Sequence, residues 1–312
     1  MTHHKPSFSF VAFAITAILL AIPALAGAQS PTFTTLDDIA DPTFNQLLGI
    51  NDSGVISGYF GSGAAGHPNT AYTLAPPYAQ SNYSLATLPS STQSQATGIN
   101  DMGTVVGFWS PTNTGTDANY GFIRQTNRFT FLSVNNPSAA STPLVNQLLG
   151  INNNNIAVGF YLDASGNSHG YAYTVKTGTF TPIAIEGQQS STATGINKDD
   201  LVCGFYTTGG VTYGFTQSLQ NGLTWIFGVA GSTNTQLLGI NNAGDAVGSY
   251  VDSGGVIHGL LVNVHSGAFH TIDSPNGVGG TVLNGINNKN EAVGFYVDAA
   301  GNTDGLLVMN LP

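Results

Sequence analysis

Cysteine is almost absent from this chain. The one cysteine, Cys203, cannot form a disulfide within the molecule, so burial of apolar groups must stabilise the fold. Residues 29–312, as one domain, can bury roughly three quarters of their unfolded surface, which is sufficient without cross-links. Cys203 also stands where neighbouring copies of the repeat described below have valine, which indicates a small core residue and not a nucleophile.

Positive charge and glutamate are scarce too. The chain has 6 Lys and Arg against 16 Asp and Glu, for a formal net charge of −10. Because binding to phosphates needs a basic surface, nucleic acid is excluded as a partner. The only glutamates, Glu186 and Glu291, lie in different repeats, so the convergent carboxylate pair of a glycosidase is not indicated.

Only one long apolar run is present, and it lies near the N-terminus. Residues 8–22 are apolar and uncharged, Lys5 precedes them, and the small residues Ala26 and Ala28 follow. This pattern predicts a secretory signal peptide over residues 1–28. An uncleaved anchor is the alternative, but about 15 apolar residues fall short of the roughly 20 that span a bilayer. We therefore expect residues 29–312 to be secreted, to the periplasm or the medium, with no membrane span after cleavage.

An internal repeat occupies the rest of the chain. The tripeptide Gly-Ile-Asn occurs six times, and another glycine follows nine residues after the first glycine of each. Successive copies are 44 to 52 residues apart, a period typical of repeat architectures. The tripeptides begin at Gly49, Gly98, Gly150, Gly195, Gly239 and Gly285.

Each copy has the pattern of four short strands. In the fifth copy we predict them at residues 235–241, 246–251, 259–264 and 268–273. The second strand is apolar on both faces in most copies, as in a sheet packed between two others. We therefore predict an all-β fold, a six-bladed β-propeller formed by residues 29–312 as one domain. A β-solenoid or another stacked β array is the alternative.

The last copy lacks a fourth strand, and the N-terminal segment offers one. Residues 33–37 read Phe-Thr-Thr-Leu-Asp and resemble residues 269–273, which read Phe-His-Thr-Ile-Asp. Phe33 precedes Gly49 by 16 residues, as Phe269 precedes Gly285. We predict that this strand completes the last blade and closes the ring, which leaves no sheet edge exposed.

A turn signature accompanies each tripeptide. Three residues after the motif asparagine stands Gly, Asn or Asp, the residues that best tolerate a positive φ angle. This predicts a tight hairpin in which the asparagine side chain accepts a backbone N–H. Lining a pore and binding a ligand is the alternative role. The motif asparagines are Asn51, Asn100, Asn152, Asn197, Asn241 and Asn287.

The repeat resembles that of a known group. Residues 98–109 read Gly-Ile-Asn-Asp-Met-Gly-Thr-Val-Val-Gly-Phe-Trp, which is similar to the Gly-Ile-Asn-x-x-Gly-x-Val-Val-Gly-Tyr core of bacterial extracellular HAF-repeat proteins. The likeness covers residues 29–312, although the His-Ala-Phe triplet appears here in altered forms such as His169-Gly170-Tyr171. The resemblance implies a secreted repeat protein and brings no catalytic residues with it.

Binding residues are expected where the copies differ from one another. The loops between the second and third strands of the first two copies, roughly residues 61–70 and 110–119, are the longest and least regular. They bring His67 near Trp109 and Tyr120, and an aromatic platform beside polar loops suits a glycan or a peptide. Tolerated insertions are the alternative.

Metal ligands are less clearly indicated. Asp163, Asp252 and Asp298 offer oxygen atoms of the kind that calcium binds, but their segments lack the alternating acids and terminal Glu of an EF-hand loop. His169 and His258 occupy one position that other copies fill with Tyr or Asp, which favours a tolerant strand start over a metal site. We expect no cofactor, with calcium as the alternative.

These patterns favour a secreted, non-catalytic binding or scaffold module for an extracellular glycan or protein. No Gly-x-Ser-x-Gly nucleophile elbow is present. An extracellular hydrolase or lyase with its site in the central funnel is the alternative. Acidic or histidine side chains converging in that funnel would indicate the enzyme.

Overall fold

The computed structural model describes residues 18–19, 30–125 and 130–312. The predicted signal peptide lies outside these residues, apart from a two-residue strand, β1 (Ile18–Leu19), which pairs in parallel with Phe227 and Gly228. The described chain is mainly β-strand, with one short 3-10 helix at Gln80–Asn82. In this part of the chain no helix has the length and apolar character needed to cross a membrane.

The strands of each repeat form an antiparallel four-stranded unit, and the predicted all-β class is confirmed. The first three repeats contain β3 (Asn45–Ile50), β4 (Ile56–Phe60), β5 (Thr70–Leu74), β6 (Tyr83–Leu85), β7 (Gln93–Ile99), β8 (Val105–Ser110), β9 (Tyr120–Gln125), β10 (Thr130–Val134), β11 (Asn146–Ile151), β12 (Ile156–Leu162), β13 (Ser168–Thr174) and β14 (Thr179–Ile183). The others contain β15 (Thr192–Ile196), β16 (Leu201–Thr208), β17 (Val211–Ser218), β18 (Thr224–Gly228), β19 (Asn234–Ile240), β20 (Asp245–Val251), β21 (Ile257–Asn263), β22 (Phe269–Thr271), β23 (Thr281–Ile286), β24 (Ala292–Val297) and β25 (Thr303–Met309).

The sixth repeat obtains its fourth strand from the other end of the chain. The strand β2 (Thr32–Thr35) pairs antiparallel with β25, with Phe33 opposite Val308 and Thr35 opposite Leu306. The sheet order is β2-β25-β24-β23, so β2 occupies the outer position that β22 holds in the fifth repeat. This is the strand pairing that the sequence predicts.

The units of the fourth and fifth repeats are also joined to each other. A single parallel pair, Thr212 and Asn234, links them into a larger sheet that includes β1. The other four units are separate four-stranded sheets.

The hydrophobic core lies between neighbouring units and not within one. Each of the six core clusters draws side chains from two repeats. Five clusters join repeats that follow each other in sequence, and in the remaining one Val293 and Leu307 of the sixth repeat pack against Leu47 and Tyr72 of the first. Burial on both faces of each sheet explains why the second strands are apolar on both sides.

The hairpin after each motif asparagine has the predicted backbone geometry. The residue three positions later has a positive φ in all six repeats, from 56° at Asn155 to 81° at Gly244. In every copy the asparagine Oδ1 accepts two backbone N–H groups, as Asn51 does from Ser53 and Val55. The side chain therefore fixes the turn that it begins.

The same asparagines also link neighbouring repeats. Each Nδ2 donates to the backbone oxygen of the motif asparagine in the next repeat, over 3.0 to 3.3 Å. All six are buried, where an unpaired amide is costly. Each motif asparagine thus provides hydrogen-bond partners both within its own turn and to the backbone of the next repeat.

Candidate binding face

The first strand of every repeat carries a β-bulge at one position. The strand register shifts between Leu47 and Gly49 in the first repeat and at the equivalent residues of the other five. A bulge inserts one extra residue and re-aims its side chain. The extra residues, which all line one shared cavity, are Leu48, Thr97, Leu149, Thr194, Leu238 and Asn284.

Beside the bulge, the first strands approach one another so closely that only glycine fits. A Cβ added at Gly98 would lie 3.0 Å from the Cα of Gly150, and one at Gly285 would lie 3.0 Å from the Cα of Gly49. The glycine of Gly-Ile-Asn is therefore required by contact between backbones, and not by an unusual φ angle.

The bulged residues alternate between two chemical types. Leu48, Leu149 and Leu238 belong to the first, third and fifth repeats and remain half-exposed. The equivalent residues of the other repeats are polar, and their side-chain donors already have partners. Thr97, Thr194 and Asn284 each donate a hydrogen bond to a backbone oxygen of the next repeat, 2.8 to 3.0 Å away. The three leucine side chains thus make the centre of the cavity apolar.

Three glutamine side chains and one aromatic ring, that of Phe108, also line the cavity. Gln46 accepts a hydrogen bond from the Tyr59 hydroxyl at 3.0 Å, while Gln147 donates to Asn119 at 2.7 Å. We call this cavity the funnel. It has a volume of about 190 Å³ and is lined by Gln46, Leu48, Gln95, Thr97, Phe108, Gln147, Leu149, Thr194, Leu238 and Asn284. None of these described residues carries a carboxylate, imidazole, thiol or amine, and the hydroxyls of Thr97 and Thr194 are engaged with backbone oxygens, so the lining offers contacts but no titratable acid or base.

The two faces of the molecule differ in charge. We call the face where the funnel opens the loop face. It carries the connections from each second strand to the third and from each fourth strand to the next repeat. The opposite face, which we call the turn face, carries the hairpins that join the first strand to the second and the third to the fourth. The described cations Arg124, Lys176, Lys198 and Lys289 all lie in or beside connections of the turn face. The loop face holds ten of the 16 acidic residues: Asp37, Asp38, Asp41, Asp117, Asp163, Glu186, Asp252, Asp273, Asp298 and Asp304. The negative electrostatic potential of the loop face therefore disfavours an anionic partner.

The residues predicted to bind a ligand are only partly brought together. Trp109 and Tyr120 lie opposite each other on β8 and β9, with ring centroids 5.3 Å apart. Trp109 packs against the core cluster of the first two repeats, and its indole N–H is buried without a partner in the described chain. His67 lies in the other loop, where its Nδ1 contacts the Asp41 carboxylate at 2.9 Å. Binding at these residues stays a prediction.

The aspartates considered as calcium ligands organise their own loops. Asp163, Asp252 and Asp298 each accept backbone N–H groups from the residues two and four positions later. A contact with His169 lowers the pKa of Asp163, and backbone N–H donors lower the pKa of Asp252 and Asp298. Within the described residues, no group of three or more His, Cys, Asp or Glu side chains is arranged to hold a metal ion.

The funnel was missed by reasoning from sequence, although a signal was present. The first, third and fifth repeats read Gln-Leu-Leu-Gly-Ile, whereas the other three have Thr or Asn before the glycine. The residue before the glycine therefore alternates between leucine and a polar residue. Once the bulge is known, this alternation identifies that residue as the one that lines the funnel.

Comparisons with known proteins are consistent with the architecture. No family model and no curated protein matches the chain. TolB from Acinetobacter baumannii, a β-propeller protein, is similar in structure with a TM-score of 0.51 at 12% identity, over 82% of this chain and 65% of that one. The chain thus spans slightly less than two thirds of TolB, and the likeness supports a propeller-like fold alone.

A second solved structure, from a study of two prolyl endopeptidases, gives a TM-score of 0.49 at 11% identity. It matches 85% of this chain and 39% of the endopeptidase chain. At that TM-score the likeness carries no argument about this protein.

Proposed function

We propose that residues 29–312 form a closed, six-bladed β-propeller of the HAF-repeat type, exported by a signal peptide over residues 1–28. Three features support closure: the asparagine links that run from each repeat to the next, the pairing of β2 with β25, and the core shared by the sixth and first repeats. In a closed ring every sheet packs between two others and little strand edge remains exposed.

This propeller is a secreted, non-catalytic binding module for an extracellular glycan or protein. The observation that carries the proposal is the funnel, which combines glutamine amides, an aromatic ring and leucines without any titratable group. Amide donors and acceptors beside apolar surface suit uncharged polar partners. The acidic loop face around the funnel also favours uncharged partners, because it repels anions. A hydrolase or lyase acting in the funnel is not supported by this lining.

The test begins with a screen of the mature chain on glycan and protein arrays. Replacing Gln147 and Phe108 together by alanine should weaken capture of any partner found, because both side chains line the funnel. Gln220→Ala, which changes an exposed glutamine on the turn face, is the matched control. Capture that survives the double substitution unchanged would contradict binding in the funnel.

The site first predicted at His67, Trp109 and Tyr120 can be tested in the same screen. If it holds the partner, Tyr120→Ala should weaken capture while the melting temperature stays near that of the parent. Trp109 is a poorer target, because its packing in the core makes loss of folding a competing explanation.

A further inference from the structure

A second cavity lies outside the funnel, on the loop face of the third repeat. Its volume is about 270 Å³. The side chains of His169 and Tyr171 on β13 and of Phe180 and Pro182 on β14 form part of its wall, and the loop over residues 188–191 borders it. None of these residues takes part in the proposed funnel site.

The fifth repeat shows what fills this position elsewhere in the molecule. There His258 stacks on Tyr250, its Nε2 lies 3.4 Å from Asp252, and its Nδ1 lies 2.7 Å from Asp273. Both nitrogen atoms of the ring are therefore occupied by carboxylates of the protein.

The third repeat preserves the first half of that arrangement and lacks the second. His169 stacks on Tyr161 with ring centroids 5.2 Å apart, and its Nε2 lies 2.8 Å from Asp163. The position of Asp273 is held by Ala184, which lines the cavity. Nδ1 of His169 has no hydrogen-bond partner in the described part of the chain. The cavity thus lies where the fifth repeat places a carboxylate.

The contact with Asp163 selects one tautomer of the His169 ring. Asp163 has a pKa well below the usual range of a carboxyl, mainly through its hydrogen bond with His169, so it is ionised and can only accept. In the tautomer that fits this contact, Nε2 carries the proton and Nδ1 presents a lone pair. A hydroxyl group is a suitable donor to that atom.

The aromatic residues Tyr161, Tyr171 and Phe180 belong to the lining of the cavity, and Tyr171 is almost fully buried behind the other two. Tyr161 and Tyr171 have centroids 6.3 Å apart, and Tyr171 and Phe180 have centroids 5.4 Å apart. The lining also includes the polar side chains of Gln188, Gln189 and Ser190, none of which has a hydrogen-bond partner among the described residues. A lining that combines aromatic rings with free amides and a hydroxyl complements a ring that bears hydroxyl groups.

We propose that this cavity binds the pyranose ring of an uncharged sugar, with a sugar hydroxyl donating to Nδ1 of His169. The site is separate from the funnel, and its occupation does not depend on the function proposed above. An anionic sugar is disfavoured, because Asp163 lies beside the imidazole and the loop face is acidic.

The decisive variant copies the fifth repeat into the third. Ala184→Asp should place a carboxylate at Nδ1 of His169 and occupy the cavity. Thr87→Asp adds the same charge at the equivalent position of the first repeat, where no histidine is present, and is the matched control. Both positions lie outside the hydrophobic core, so we expect both variants to fold.

Binding is measured by NMR titration of the intact mature protein with methyl glycosides of neutral hexoses, following the ring-nitrogen signals of His169. We expect at least one glycoside to shift the Nδ1 signal, and Ala184→Asp to weaken its binding about tenfold or more relative to Thr87→Asp. The proposal is overturned if no neutral glycoside shifts that signal. It is also overturned if the two variants bind equally well, or if a methyl glucuronoside binds more tightly than its neutral counterpart.

Discussion

The side-chain Nδ2 of Asn287 donates a hydrogen bond to the backbone oxygen of Asn51, 3.1 Å away, although 236 residues separate the two in sequence. The same bond joins each of the other motif asparagines to the following repeat, where the separation is only 44 to 52 residues. The junction between the last and first repeats is therefore built like every other junction.

Removing one of these side chains should destabilise the protein substantially. In Asn152→Ala, the N–H groups of Asn154 and Ile156 and the backbone oxygen of Asn197 lose a buried partner. We expect the free energy of unfolding to fall by about 2–4 kcal/mol, measured by urea denaturation. The exposed neighbour serves as control, since Asn154→Ala should cost less than about 1 kcal/mol. Equal losses in the two variants would refute the role of the buried amide.

Closure by the N-terminal strand can be tested by deletion. A mature chain that lacks residues 29–38 would leave β25 with an unpaired edge and expose the apolar side chains that share a core cluster with Leu36, such as Leu47 and Leu307. We expect a sharp fall in melting temperature and a greater tendency to aggregate. A melting temperature equal to that of the parent would count against a closed ring.

The junction also predicts an unusual dependence of stability on pH. Burial raises the pKa of Asp37 to about 6, with a further contribution from the charge of Asp304, whereas the N–H of Gly305 opposes the rise. Burial also raises the pKa of Asp304. Because the folded state then binds more protons than the unfolded chain, these groups reduce stability as the pH rises from about 4 to 6.

Asp37→Asn removes that titration while keeping an oxygen that can accept from Gly305. After allowance for the partial exposure of this carboxyl, we expect the variant to exceed the parent in stability by roughly 1 kcal/mol at about pH 7 and to match it near pH 4. Urea denaturation at intervals across this range provides the measurement. A variant less stable than the parent at neutral pH would show that the charge of Asp37 is stabilising.

Local patterns in the sequence were sufficient to predict the strands, the turns and the strand pairing at the junction. The positive φ angles at positions such as Asn155 follow directly from residue preference, and the pairing of β2 follows from the likeness of residues 33–37 to 269–273. The turns and strands depend on the preferences of a few neighbouring residues. The pairing at the junction can be read from a comparison between copies of the repeat.

The candidate sites could not be predicted in the same way. Alternation along a strand assigns Leu149 and its equivalents to the wrong face, because the bulge shifts the pattern by one residue. The cavity beside His169 arises where Ala184 follows the strand β14, and the histidine itself gives no sign of it. Trp109 was interpreted as a binding platform, yet the core also uses its ring, a distinction that only packing reveals.

The most direct test of the proposed function is the affinity of Leu149→Trp for a partner identified on the arrays. The larger side chain should occupy the funnel without disturbing the core, since Leu149 is half-exposed at its centre. Leu132→Trp, at an exposed leucine on β10, is the control for the change in size. We predict that the dissociation constant rises about tenfold or more for Leu149→Trp and stays unchanged for Leu132→Trp. Equal affinity of the two variants, both folded, would contradict binding in the funnel.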